Sequence, residues 1–201
     1  MCAVLEFTQG RAPLAAFALA FAVMVLAWDV ARGRVEGAVA RAGRAVLGLV
    51  YIGGLGTYLV ALRGRGMAPV FLLYSLIWLG DTAAYFVGLA MGRRALNPRV
   101  SPGKTWEGAL AALGASVLAG AVLGAAAVPW LGPARGAALG LVASVAGQLG
   151  DLIESLLKRD LGVKDSGSWI PGHGGALDRF DSLLLAAPAV YGFLALSGGA
   201  R

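Results

Sequence analysis

The sequence predicts an all-α fold: a polytopic transmembrane helix bundle of about six spans, with its polar motif loops on the cytoplasmic side. Three observations predict it. Of 201 residues, 58% are hydrophobic and 14% charged, with a mean hydropathy of +0.75, whereas soluble domains are about 45–50% apolar and about 25% charged. The apolar residues gather into runs of about 20, the length that crosses a hydrocarbon core as a helix. The gaps between these runs are too short to hold a soluble domain.

The spans are expected at 12–31, 44–62, 67–92, 107–131, 134–157 and 177–197. The first run, Ala12 to Ala31, could pass for a signal peptide, but it is long and no small-residue cleavage site follows, so it reads as a retained span. Asp29 and Glu36 lie near its end and are expected to be solvated. Later spans are rich in glycine and alanine, as in GALAALGASVLAGAVLGAAA from Gly108 to Ala127. Small residues let membrane helices approach closely.

Six spans place both termini on one side and sort the loops into two sets. Loops 32–43, 93–106 and 158–176, with the adjoining helix ends, carry 12 of the 17 Lys and Arg residues, and the opposite side carries 5. The positive-inside rule makes the first set cytoplasmic. The net charge of +6 would suggest nucleic acid in a soluble protein. With the cations lodged between apolar runs, membrane lipids and a phosphorylated substrate are the expected partners, and nucleic acid is not. Cys2 is the single cysteine, so no intrachain disulfide can form. One histidine and no CxxC argue against a Cys/His zinc site. A metal would be held by carboxylate oxygens, which favours Mg²⁺.

Carboxylates stand where lipid should be. Asp81 lies inside the third span, Asp151 and Glu154 inside the fifth, and Asp178 and Asp181 open the sixth. Each costs a few kcal/mol or more in a bilayer unless paired. Asp151, Glu154, Ser155 and Lys158 share one helix face, as do Asp178 and Asp181. Two helices facing each other with such clusters can bind a divalent cation. The competing reading is a set of buried ion pairs with Lys158, Arg159 and Arg179, or carboxylates at solvated helix ends. A third is an ion pathway through Asp81 and Asp151, which leaves the polar loops unexplained.

Two loop segments carry further chemistry. In NPRVSPGKTWEG, from Asn97 to Gly108, Pro98, Pro102 and Gly103 break helix. Ser101, Lys104 and Thr105 then set two hydroxyls and an ammonium before a new helix, an arrangement suited to phosphate; a capped turn between helices explains the same residues. The spacing of a P-loop is absent. The second segment, SLLKRDLGVKDSGSWIPGHGGALDRFD from Ser155 to Asp181, is polar and glycine-rich. It brings Lys158, Arg159, Lys164, Asp165, His173, Asp178, Arg179 and Asp181 into 24 positions. Its glycines let backbone approach a ligand, its cations can neutralise a polyphosphate, and its carboxylates can hold a metal. Trp106 and Trp169 flank the motifs as interface anchors.

The segment from Ser155 to Asp181 closely resembles the signature of the CDP-diacylglycerol synthases, or phosphatidate cytidylyltransferases: S-x-x-K-R, then K-D, then P-x-H-G-G-x-x-D-R-x-D. Ala176 departs from it, where the family carries a larger aliphatic residue. DTAAYFVG from Asp81 and SPGKTWEG from Ser101 are similar to two further family segments, in the same order. The resemblance covers about 72–185. It implies a Mg²⁺-dependent reaction in which a phosphate oxygen of phosphatidic acid attacks the α-phosphorus of CTP and pyrophosphate leaves. It implies Asp151, Asp178 and Asp181 as metal ligands, with a monovalent ion such as K⁺ as a second candidate. Asp151, Lys158, Asp178 and Asp181 become the catalytic candidates. Ser101, Lys104, Thr105, Ser155, Arg159, Lys164, Asp165, His173, Arg179 and Asp81 become the substrate-binding candidates. His173 is not needed as a base, since a phosphate monoester is already anionic.

The chain then divides into N-terminal spans over 1–66, matched to the family only in hydrophobicity, and a catalytic membrane domain over 67–201. Typical bacterial members are longer and carry extra N-terminal spans, so the expectation is either a compact member or a missing start. The resemblance leaves room for a homodimer. It also implies a bacterial inner membrane location with the site facing the cytoplasm. A polyprenol kinase that uses CTP would share the nucleotide, and an inactive scaffold would share the fold.

Overall fold

The computed structural model describes residues 2–163, 166–167, 175 and 177–197. Its elements are helices α1 (Cys2–Ala31) and α2 (Ala38–Gly48), a π-helical turn (Leu49–Gly54), α3 (Leu55–Gly64), α4 (Met67–Met91), strands β1 (Ala95–Asn97) and β2 (Ser101–Thr105), then α5 (Trp106–Ala126), α6 (Gly132–Asp160) and α7 (Leu177–Leu196). Five continuous helical stretches among the described residues are long and apolar enough to cross a membrane: Ala38–Gly64, Met67–Met91, Trp106–Ala126, Gly132–Asp160 and Leu177–Leu196. Ala15–Ala31 is a shorter apolar helix. The expected helical membrane protein of about six spans is therefore borne out. The π-helical turn lets the second stretch run unbroken from Ala38, six residues before its expected start.

The chain forms two compact units, Met1–Thr57 and Tyr58–Arg201. In the first, α2 turns back on α1. Asp29, expected to be solvated, is buried at 3% exposure. Arg41 Nε donates to its Oδ2 at 2.9 Å, and the same guanidinium donates to the carbonyls of Glu36 at 2.7 Å and Arg34 at 3.1 Å. Sequence position near a helix end does not reveal this, because the partner comes from the returning helix. Glu36 is exposed, as expected.

In the second unit, Leu62, Leu72, Leu73, Leu76, Leu139 and Leu194 are fully buried in one apolar core. Between α4 and α6, helix α5 buries a row of small residues spaced by four: Gly108, Ala112, Ser116, Gly120 and Gly124. A Cβ on Gly120 would collide with the Gly136 carbonyl of α6, and a Cβ on Gly136 with the Gly120 carbonyl. The two backbones therefore touch. Lipid tails are as apolar as leucine, so close packing of this kind drives membrane helices together. Ser116 Oγ also donates to the Leu76 carbonyl of α4 at 2.9 Å, which satisfies a hydroxyl that lipid could not.

The segment after α4 departs from a purely helical fold. β1 and β2 form an antiparallel hairpin with Ala95 opposite Thr105 and Asn97 opposite Ser101, its register interrupted between those pairs. Pro98, Pro102 and Gly103 exclude helix here, and pairing the two extended stretches satisfies their backbone groups. Trp106 N–H then donates to the Arg94 carbonyl at 2.9 Å, closing the base of the hairpin where α5 begins.

Candidate functional site

Hairpin, α4, α5 and α6 enclose a cavity of about 310 Å³. Asp81 and Tyr85 of α4, Lys104 and Thr105 of β2, and Gln148 and Asp151 of α6 line it. Pockets of about 300–1,000 Å³ suit small ligands. Lys104 is ion-paired with Asp151, both side chains about two-thirds or more buried. The hairpin is what carries Lys104 there, since a helix through Ser101–Thr105 would point successive side chains around a cylinder. Thr105 serves as the N-cap of α5, its Oγ1 accepting from the Gly108 N–H at 3.1 Å. A hydroxyl at this position satisfies an orphan donor of the first turn.

Asp151 is the hub of the carboxylates. Its charge interacts with those of Asp81 and Asp181, and Lys104 interacts with both of these as well. Ser155 Oγ donates to Asp151 Oδ1 at 3.5 Å, which places Ser155 one turn along α6 on the same face. Gly150 allows α7 to come this close: a Cβ there would stand 2.6 Å from the Asp181 carbonyl oxygen. Asp181 Oδ1 accepts from the Ser182 N–H at 2.6 Å.

Asp178 belongs to a second cluster. Lys158 Nζ bridges Glu154 Oε2 at 2.5 Å and Asp178 Oδ1 at 2.6 Å. The other oxygen of Asp178 accepts from Ser166 N–H at 2.9 Å, Ser166 Oγ at 2.7 Å and Gly175 N–H at 2.8 Å. With both oxygens engaged, Asp178 ties Ser166 and Gly175 to Lys158 near the end of α6. It does not converge with Asp151 and Asp181 on one point, and no group of three or more His, Cys, Asp or Glu side chains among the described residues is arranged to hold a metal. The described residues thus show two clusters, with Lys158 and backbone N–H groups around the Asp178 carboxylate and Lys104 beside Asp151.

The remaining candidates divide clearly. Ser101 opens β2, half-buried, and does not line the cavity. Arg159 Nε donates to the Val100 carbonyl at 3.4 Å, tying the end of α6 to the hairpin tip. Arg179 is exposed on the first turn of α7. Lys164, Asp165 and His173 lie outside the described residues, as does Trp169. Sequence reasoning passed over Gln148 and undervalued Glu154. Gln148 Nε2 donates to the Ala109 carbonyl at 3.2 Å and to Ser144 Oγ at 3.1 Å, bracing α6 against α5 at the cavity wall. Its position three residues before Asp151 put it on the same helix face, a signal that was there to be read. Glu154 is fully buried, a depth that only packing reveals.

A hard cation fits the first cluster in charge. Asp151 lies within electrostatic range of Asp81 and of Asp181, and Lys104 is its ammonium partner. A divalent ion on carboxylate oxygens would offset the excess.

Known proteins are similar to this chain in sequence. The cytidylyltransferase family matches the chain over residues 1–197. The phosphatidate cytidylyltransferase of Brucella suis biovar 1 (strain 1330) is 45% identical over 152 residues, covering 74% of this chain and 56% of its own length. That of Synechocystis sp. is 48% identical over 132 residues, 65% of this chain and 44% of its own. That of Bacillus subtilis (strain 168) is 41% identical over 160 residues, 77% and 58% respectively. The chain thus spans about half the length of the curated relatives it matches. With a family match over nearly every residue and a cavity that gathers residues from its polar motifs, the chain belongs to the cytidylyltransferase family.

Proposed function

We propose that the protein transfers a cytidylyl group from CTP to phosphatidic acid, yielding CDP-diacylglycerol and pyrophosphate in phospholipid biosynthesis. The observation that carries this reading is the Lys104–Asp151 pair, which joins two separated motifs at one cavity. The family match and the named relatives supply the reaction class. A phosphate oxygen of phosphatidic acid bonds to the α-phosphorus of CTP, and the bond from that phosphorus to the β-phosphate bridge breaks. The acceptor is anionic already, so no side chain need remove a proton from it.

The chain's own residues bind and orient. Lys104 faces the cavity as an ammonium for phosphate oxygens, held in place by Asp151. Lys158 is fixed between Glu154 and Asp178, and Arg159 near the end of α6 and Arg179 in the first turn of α7 add positive charge. Lys164, Asp165 and His173 are assigned to the same segment by their motif alone. Asp151 and Asp181 would hold Mg²⁺, with Asp81 adjacent and K⁺ as a candidate second ion. When bound, the metal supplies charge neutralisation of the phosphates. Asp178 serves as an anchor in this arrangement.

The 12-to-5 bias of basic residues supports a cytoplasmic site in a bacterial inner membrane. The division into N-terminal spans over 1–66 and a catalytic domain over 67–201, and pairing into a homodimer, belong to the same reading. Purified protein given labelled CTP and phosphatidic acid, with and without Mg²⁺, should make a labelled liponucleotide with the metal present. Absence of that product under conditions where CTP binds would reject the assignment.

A further inference from the structure

A second concavity, about 610 Å³, lies at the base of the hairpin between Arg93, Arg94, Trp106, Glu107 and Leu110. It shares no lining residue with the cavity of the Lys104–Asp151 pair. On α5, Trp106 and Leu110 stand about 200° around the helix from Gly108 and Ala112, the face toward that cavity. The two concavities therefore lie on opposite sides of the helix.

Three features define what the second one would take. First, its two arginines are exposed, and neither forms an ion pair with a carboxylate among the described residues. Glu107 is the nearby carboxylate: its Oε2 accepts from the backbone N–H groups of Arg93 at 3.2 Å and Arg94 at 3.3 Å, and its charge interacts with that of Arg94, leaving one positive charge in excess over the two arginines and one glutamate. Its carboxylate thus braces the backbone beneath the arginines, and the groove keeps a net positive charge. Second, Trp106 is 53% exposed at the end of a spanning helix, the depth at which tryptophan anchors to headgroups. Third, an inclined ridge of exposed apolar side chains runs from it along α5: Leu110, Leu118 and Val122, at 63%, 66% and 55% exposure. A guanidinium pair above an apolar ridge matches a phosphate joined to an acyl chain, and guanidinium forks suit phosphate oxygens.

We propose that this groove is a binding site for an anionic phospholipid of the surrounding leaflet, its phosphate on Arg93 and Arg94 and one acyl chain along the α5 ridge. The site does not depend on the reaction assigned to the other cavity. Free phosphate is disfavoured, because the ridge would then serve no part of the ligand.

The test is retention of lipid by the purified full chain. Protein equilibrated in vesicles of equal phosphatidylglycerol and phosphatidylcholine is extracted, and co-purifying lipid is counted by native mass spectrometry. Wild type should retain phosphatidylglycerol in preference. Arg93→Gln/Arg94→Gln should lose that preference by roughly fivefold per arginine, about 25-fold for the pair. Arg93→Lys/Arg94→Lys should keep most of it, and Trp106→Ala should weaken it. Arg63→Gln/Arg135→Gln removes the same charge from exposed positions elsewhere and should leave it intact. Equal losses in the two glutamine pairs would reduce the effect to net charge and overturn the site. So would wild-type retention in Arg93→Gln/Arg94→Gln, or displacement of the lipid by inorganic phosphate at equal concentration. Circular dichroism and elution profile confirm folding, and if the glutamine pair does not fold, the lysine pair and Trp106→Ala decide.

Discussion

Replacing Lys158 with methionine separates the structural cluster from the cavity. Lys158 is the shared partner of Glu154 and Asp178, and the Glu154 side chain is 1% exposed. Without the ammonium, Glu154 becomes a carboxylate buried with no countercharge, and Asp178 loses one of its four donors. Breaking a buried pair by removing one partner costs about 3–5 kcal/mol. Lys158 is 19% exposed and Asp178 14%, so water recovers part of this, and we expect a loss of about 2–4 kcal/mol. Adding Glu154→Gln to Lys158→Met removes the orphaned charge and should restore at least about 1 kcal/mol, a coupling that a double-mutant cycle measures directly. The assay is denaturant unfolding in a fixed detergent, alongside turnover of CTP. Stability should recover in the double variant while turnover does not, because Asp178 still lacks its Lys158 donor. An unfolding midpoint for Lys158→Met equal to wild type, or strictly additive effects in the cycle, would refute the bridging role.

Other perturbations address the cavity and the packing. Asp151→Asn and Asp181→Asn should each lower Mg²⁺-dependent pyrophosphate release by at least about 100-fold with the elution profile unchanged; near-normal release in both would remove the metal assignment. Lys104→Ala should lower CTP turnover by roughly 100-fold, and unchanged kcat and KM would show that the ammonium does not meet the nucleotide. Gly136→Leu forces a side chain into the Gly120 backbone and should abolish recovery of monodisperse protein, whereas Gly192→Ala, with open space around it, should not. Thr105→Ala removes the α5 cap and should cost about 1 kcal/mol, read as a shift in the same unfolding midpoint.

Much of the site was legible because its chemistry is written in spacing. Asp151 and Ser155 repeat at a helical interval, which assigns a shared face before any coordinates exist, whereas Asp178 and Asp181 have the same kind of spacing and take different partners. The same logic covered Gln148, although a neutral amide does not stand out in an apolar span as a carboxylate does. The hairpin was less legible. Two prolines and a glycine announce a break in helix, but β1 and β2 are too short to display an alternating pattern, and their pairing depends on α4 and α5 bringing the ends together. Asp29 shows the same limit: its burial comes from Arg41, twelve residues away on a returning helix.

Composition and periodicity by themselves determined that this chain is a helical membrane protein, where its spans lie, and which carboxylates must be accounted for, since bilayer thickness and the helical repeat act on each segment separately. Only the tertiary structure decided how the carboxylates are partnered. Gly150 lets α7 reach Asp151, the hairpin delivers Lys104, and Lys158 draws Asp178 into a different cluster. A carboxylate takes whichever cation and N–H groups the fold brings within reach. That choice depends on the approach of neighbouring backbones, a distance no single helix encodes.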